Sequence, residues 1–314
     1  MPDLKIVKPK ATPAIERLVD DYLAHCQAIG LSAKTVKFSY GYPLRQVFIP
    51  WCAEQGIVEI GALTSRDVDR LSIRLMEQGG KRGALSRGTV WTYLKAVKRF
   101  LAWGKEEGEP VKAEAKLPKL PQRLVEILSR DEIERLEDAA LNERDKLIVR
   151  LLADTGIRVS ELVQLRTADF VERDRNAFIK VTGKGVRERL VPVTPALYRR
   201  LRRYADRGRP QNAETDRIFL ALRKDADGEY GGLTPSGVQQ MVRGLGEKAL
   251  RKRVHPHIFR HSAATYYLQR GMDSLLVAQI LGHSSLQMIQ KVYSHLSPTD
   301  AHAALVAALR KDED

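Results

Sequence analysis

Thr155-Gly156-Ile157-Arg158-Val159-Ser160-Glu161-Leu162 decides how the second half of this chain is read. An apolar helical run from about Glu143 to Thr155 leads into it. Gly156 stops that run, because glycine takes the left-handed turn that ends a helix without steric cost. Arg158 then stands at a corner, where its side chain can reach outward; taken alone it reads as a surface arginine. Upstream, Ser129 with Glu132 forms a capping box that opens a helix carrying Ile133 and Leu136. Downstream, Phe178-Ile179-Lys180-Val181-Thr182 and Arg189-Leu190-Val191-Pro192-Val193 are two strand-like runs, and Gly183-Lys184-Gly185 between them marks a hairpin. Lys184 sits at its tip, by itself a routine turn lysine. From Pro195 onward the pattern is mostly helical.

The first third reads as helices alone. Ile15, Leu18, Val19, Tyr22, Leu23, Cys26 and Ile29 recur at helical spacing until Gly30. Ser32 caps a second helix with Val36, Tyr40, Leu44, Val47 and Trp51, which Pro43 should kink. Thr64 and Asp67 start a third, ended by Gly79-Gly80. Ser86 starts a fourth that buries Val90, Leu94, Val97 and Leu101. Residues 107–124 carry Pro110, Pro118 and Pro121 among charges, with no period, which is linker composition. The expected organisation is a tail over 1–12, a helical domain over 13–106, the linker, a mixed domain over 125–298 and a tail helix over 299–314. The fold class is mainly α with a small antiparallel β-sheet.

Hydrophobic residues make up 43% of the 314 and charged residues 29%, a globular balance. The apolar run around Leu147–Ile157 is broken by Arg150 and Asp154, so no membrane span is expected. MPDLKIVKPK has no apolar core of a signal peptide. Cys26 and Cys52 make neither a disulfide framework nor a metal cluster, and suit a reducing cytoplasm. The net charge of +14 points to a polyanionic partner. It is clustered: seven basic residues and no acid lie between Lys81 and Lys105, six arginines and one acid from Arg199 to Arg209, and six basic residues and one acid from Arg243 to Arg260. Arg87, Lys95, Lys98 and Arg99 on the fourth helix, and Arg243, Arg251, Lys252 and Arg253, are the candidate DNA contacts.

His255-Pro256-His257-Ile258-Phe259-Arg260-His261 places three histidines and an arginine in seven residues. His257 and Arg260 share one side of a helix starting near Pro256. Zinc is the rival reading, since His257 and His261 are four apart, but no cysteine lies nearby and no acid sits between them to act as a base. Leu281-Gly282-His283-Ser284-Ser285 is followed ten residues after His283 by Tyr293. A lone tyrosine here would be a core residue.

Taken together and in this order, Arg158, Lys184, His257, Arg260, His283 and Tyr293 resemble the catalytic set of the tyrosine recombinases, the phage integrase and Xer group. The resemblance covers nearly the whole chain and is closest to the simple Xer type, although the step from His283 to Tyr293 is one residue longer than in many members. It implies an all-helical, SAM-like core DNA-binding domain and a mixed catalytic domain clamped around duplex DNA. Tyr293 would be the nucleophile, Arg158 and Arg260 the phosphate fork, His257 the proton acceptor, His283 a phosphate donor and Lys184 the general acid. Glu161 and His261 would support them. It implies no metal or cofactor. The partners implied are paired inverted half-sites, a homotetramer on two sites or a dimer on one, and in some cases a second recombinase or accessory protein. The expected location is the cytoplasm, at the nucleoid. A type IB topoisomerase-like enzyme, an inactive DNA-binding regulator and a metal-dependent nuclease are the competing readings.

Overall fold

The structure is a computed structural model and describes residues 14–79, 84–120, 126–183, 188–210 and 213–282. The chain divides into two compact units, Met1–Gln122 and Arg123–Asp314.

In the first unit α1 (Ile15–Ala28) buries Ile15, Leu18, Val19, Tyr22, Leu23 and Cys26. Ile29 lies beyond its end and is exposed. Ser32 accepts from Thr35 N–H and opens α2 (Ala33–Thr35), which runs on through two π-helical stretches, Val36–Gly41 and Leu44–Phe48, into α3 (Ile49–Glu54). The sequence predicts a kink at Pro43; the structure places π turns on either side of it. Proline has no N–H for the ladder and its ring crowds the carbonyl four residues back. The ladder widens there, so that Tyr42 N–H donates to Lys37 O and Ile49 N–H to Leu44 O. A capping box of Thr64 and Asp67 starts α4 (Ser65–Gln78), and Ser86 caps α5 (Arg87–Glu106). Phe48, Leu94 and Phe100 are fully buried at the centre of this core. The supposed linker has a period after all: Val111, Ala113 and Ala115 are buried in the first core and alternate with Lys112, Glu114 and Lys116, while Glu114 N–H donates to Ser65 Oγ. Small alanines hid this strand-like alternation.

In the second unit, Ser129 and Glu132 cap α6 (Arg130–Asp138) and Asn142 caps α7 (Glu143–Thr155). α8 (Val159–Leu162) follows, then β1 (Phe170–Arg173), β2 (Asn176–Thr182) and β3 (Glu188–Val193). These form an antiparallel sheet in the order β1-β2-β3. Sequence reading finds β2 and β3 but misses β1, an edge strand of four residues. Its turn, Asp174-Arg175, takes positive φ at both positions with no glycine to announce it. The hairpin tip with Lys184 lies outside the described residues. α9 (Pro195–Arg203), which runs on into a π-helical turn at Tyr204–Gly208, α10 (Pro235–Leu250), α11 (Pro256–Gln269) and α12 (Ser274–Leu281) complete the unit. α7 and α11 pack centrally, and Leu147, Ile148, Leu152, Ile179, Val191 and Phe259 form the core between helices and sheet.

Candidate active site

The site begins with one glycine. Gly156 ends α7 in the left-handed conformation, at φ 60°. A Cβ there would stand 2.4 Å from Leu281 Cδ2 and 3.3 Å from Ala263 Cβ, so α7, α11 and α12 can meet only because the side chain is missing. Two residues on, Arg158 is the N-cap of α8. Its backbone N–H donates to Glu161 Oε2 at 2.8 Å, the N3 half of a capping box. Its side chain donates from Nη1 to Glu161 Oε1 at 3.0 Å and from Nη2 to Gly282 O at 3.0 Å.

Arg260 comes from the first turn and a half of α11 and is 5% exposed. Nη1 donates to Gly156 O at 2.8 Å, which ties it to the corner that carries Arg158. Nη2 is buried and has no hydrogen-bond partner among the described residues. A buried charged donor without an acceptor is costly. Burial, then the Arg158 guanidinium, lower the Arg260 pKa to about 9 against the pull of Glu161. It stays charged at neutral pH, so the depression measures how poorly the protein's own groups match that charge. A tetrahedral oxyanion bound by both arginines would supply the match.

His257 is exposed on the first turn of α11. Partial desolvation, then His255, Arg260 and Arg158, hold its imidazole below the ordinary histidine value. It is therefore neutral, and able to accept a proton, at neutral pH. Glu161 is 3% exposed. Burial pushes its carboxyl up, but the donors of Arg189 and Arg158 outweigh this and keep it ionised. Arg189 forks onto Glu161 at 2.8 and 3.0 Å.

The structure thus brings Arg158, Arg260, His257 and Glu161 to one place. His261 is half-buried one residue beyond Arg260. Lys184, His283 and Tyr293 lie outside the described residues, as does the tail over 299–314. Among the described residues no group of histidines, cysteines and carboxylates could hold a metal ion, and no helix is long and apolar enough to cross a membrane.

Sequence reading misses Arg189, although a signal was present. In the register of the hairpin it faces Val181, on the inward side with Val191. A charge at a core-facing strand position needs a buried partner. Of the candidate DNA contacts, Arg87, Lys98, Arg99, Arg243, Arg251 and Arg253 are exposed. Arg99 donates to Tyr40 Oη at 2.7 Å, Lys95 lies over the Trp91 ring, Arg243 pairs with Glu247, and Lys252 pairs with Glu132. The arginine-rich segment after Arg199 is partly structural, since Arg200 bridges Glu137 and Glu143.

Residues 126–300 match the phage integrase family. The tyrosine recombinase XerC of Oceanobacillus iheyensis is 32% identical over 296 residues, covering 90% of this chain and 92% of that one. The tyrosine recombinase XerD of Bifidobacterium longum is 30% identical, covering 91% and 95%. A crystal structure of XerA recombinase is 28% identical with a TM-score of 0.51 over 94% of this chain and 98% of that one. The XerH recombinase bound to its difH substrate in a post-cleavage complex shares the fold, with a TM-score of 0.69 at 20% identity. A corner built from TGIR, an HxxRH helix and a three-stranded sheet lies inside the matched span, and on these grounds the chain belongs to the phage integrase family, as a tyrosine recombinase of the Xer kind.

Proposed function

We infer that this protein is a site-specific recombinase that cuts and rejoins duplex DNA through a tyrosine–phosphate intermediate. The observation that carries this is the buried Nη2 of Arg260 beside Arg158, which has no hydrogen-bond partner among the described residues. Two guanidiniums converging on one point can fork onto the non-bridging oxygens of a phosphodiester, where charge gathers in the transition state. In this reading the Tyr293 oxygen attacks phosphorus and His257 takes the phenolic proton. His283 donates to a phosphate oxygen, and Lys184 protonates the departing 5′-oxygen. The 3′-phosphotyrosine keeps the bond energy, and the 5′-hydroxyl of a partner strand attacks it to reseal the backbone. Neither ATP nor a metal enters those steps. Relatives similar over nine-tenths of both chains are named tyrosine recombinases, which favours partner exchange over simple relaxation of supercoils.

The test is a nicked duplex, selected for binding from a random pool, incubated with the full chain in EDTA and run on a denaturing gel. Wild type should give a covalent adduct and Tyr293→Phe none; an adduct from the variant would move the nucleophile elsewhere. We further read the working form as a tetramer on two inverted-repeat sites, in the cytoplasm, with the amphipathic 299–314 segment docking on a neighbouring protomer. Deleting 299–314 should then leave single-site binding intact and abolish synapsis in a two-site gel-shift assay. Undiminished synapsis by the truncated chain rejects this arrangement.

A further inference from the structure

Arg189 has no part in the chemistry just given, yet its side chain makes three hydrogen bonds beside it. It stands at the start of β3, directly after the hairpin tip. Its guanidinium forks onto Glu161, with Nη1 to Oε1 at 2.8 Å and Nη2 to Oε2 at 3.0 Å, and Nε donates to Ile280 O at 3.1 Å. One planar group therefore joins β3, α8 and the end of α12. Arg158 repeats the pattern, reaching the same carboxylate and Gly282 O. Both arginines thus hold the carbonyl end of α12, one residue from His283. Gly282 answers to this arrangement, because at φ 67° a Cβ would stand 2.7–2.9 Å from Arg189 guanidinium atoms.

The charges show what the arrangement does. Glu161 carries one negative charge, buried and shared between two guanidiniums. Without Arg189 the whole of that charge would fall to Arg158, which already donates Nη1 to it, and less of the Arg158 charge would be left for a phosphate. We propose that Arg189 is a positioning residue that takes up the Glu161 carboxylate, so that Arg158 keeps its charge and orientation for the scissile phosphate while the end of α12 is held beside it. Lysine cannot replace it: a single point donor cannot fork the carboxylate and reach Ile280 O together.

This rests on the catalytic reading of Arg158 above, and the test separates the two. Single-turnover adduct formation on the nicked duplex is measured with the full chain, together with duplex affinity and melting temperature. Arg189→Met and Arg189→Lys should slow adduct formation by about 10- to 100-fold, the range seen when the partner that orients a reacting group is lost, with affinity unchanged. Glu161→Gln combined with Arg189→Met should be faster than Arg189→Met alone, because removing both charges spares Arg158. A purely structural role predicts that the two losses add and follow melting temperature, and that result overturns the proposal, as does a wild-type rate in either single variant. Should Arg189→Met not fold, Arg189→Lys decides alone by the same rate criterion. Arg158→Lys is the control. If it is slow while Arg189 variants run at the wild-type rate, only this proposal fails; if it too runs at the wild-type rate, the catalytic reading fails with it.

Discussion

His257 occupies the second position of α11, with Arg260 one turn further along and Arg158 across the corner. Partial desolvation, then His255 and the two arginines, make its protonated form unfavourable, so its pKa falls below 6.5. For a group that must accept a proton the sign is direct: the active neutral form persists as pH falls through 6.5 and is lost only lower down. Adduct formation at subsaturating DNA, which reports the free protein, should therefore show its acid limb below pH 6.5. His257→Gln should be slower and lack that limb. A limb at or above 6.5 that remains in the variant would assign it to another group. Much of this scale was legible in the sequence, because spacing alone put His257 and Arg260 on one helix side and Glu161 three residues beyond Arg158. What spacing could not give was the partner of each charge. Arg189 and Glu161 are 28 residues apart in the chain, and only the hairpin register brings them together.

At the scale of elements, the site depends on how closely α7, α11 and α12 approach at Gly156. Gly156→Ala should cost about 1–2 kcal/mol for the left-handed backbone and about 1–3 kcal/mol more for pushing back Leu281. Urea unfolding should show the shift, and adduct formation should fall further than stability does, since Arg260 hangs from the Gly156 carbonyl. A stable, fully active Gly156→Ala chain would mean that the three elements can part without harm. Capped helices were readable because a cap is a local event: Thr64, Ser86 and Ser129 each accept from a backbone N–H three residues on. β1 and the alternating segment at Val111–Ala115 were not, because a glycine-free turn and small alanines leave little trace in composition.

Over the whole molecule the excess of positive charge sets the strength of DNA binding, and its salt dependence counts the phosphates neutralised. Arg87→Ala and Lys98→Ala, at exposed positions on α5, should each lower the slope of log K against log salt by about 1. Lys252→Ala should change it less, because Lys252 is already engaged by Glu132. Equal slopes for all three variants would sink this division of labour. Arg260 has a consequence at the same scale. Its Nη2, without a partner among the described residues, is a liability in the resting protein, and many replacements of a buried, poorly paired charge by an apolar side chain leave a protein no less sturdy. A laboratory hunt for heat-resistant forms that selected on folding alone would find position 260 an attractive one to change, and would harvest robust chains that no longer touch DNA chemistry; such a hunt has to score strand breakage alongside survival.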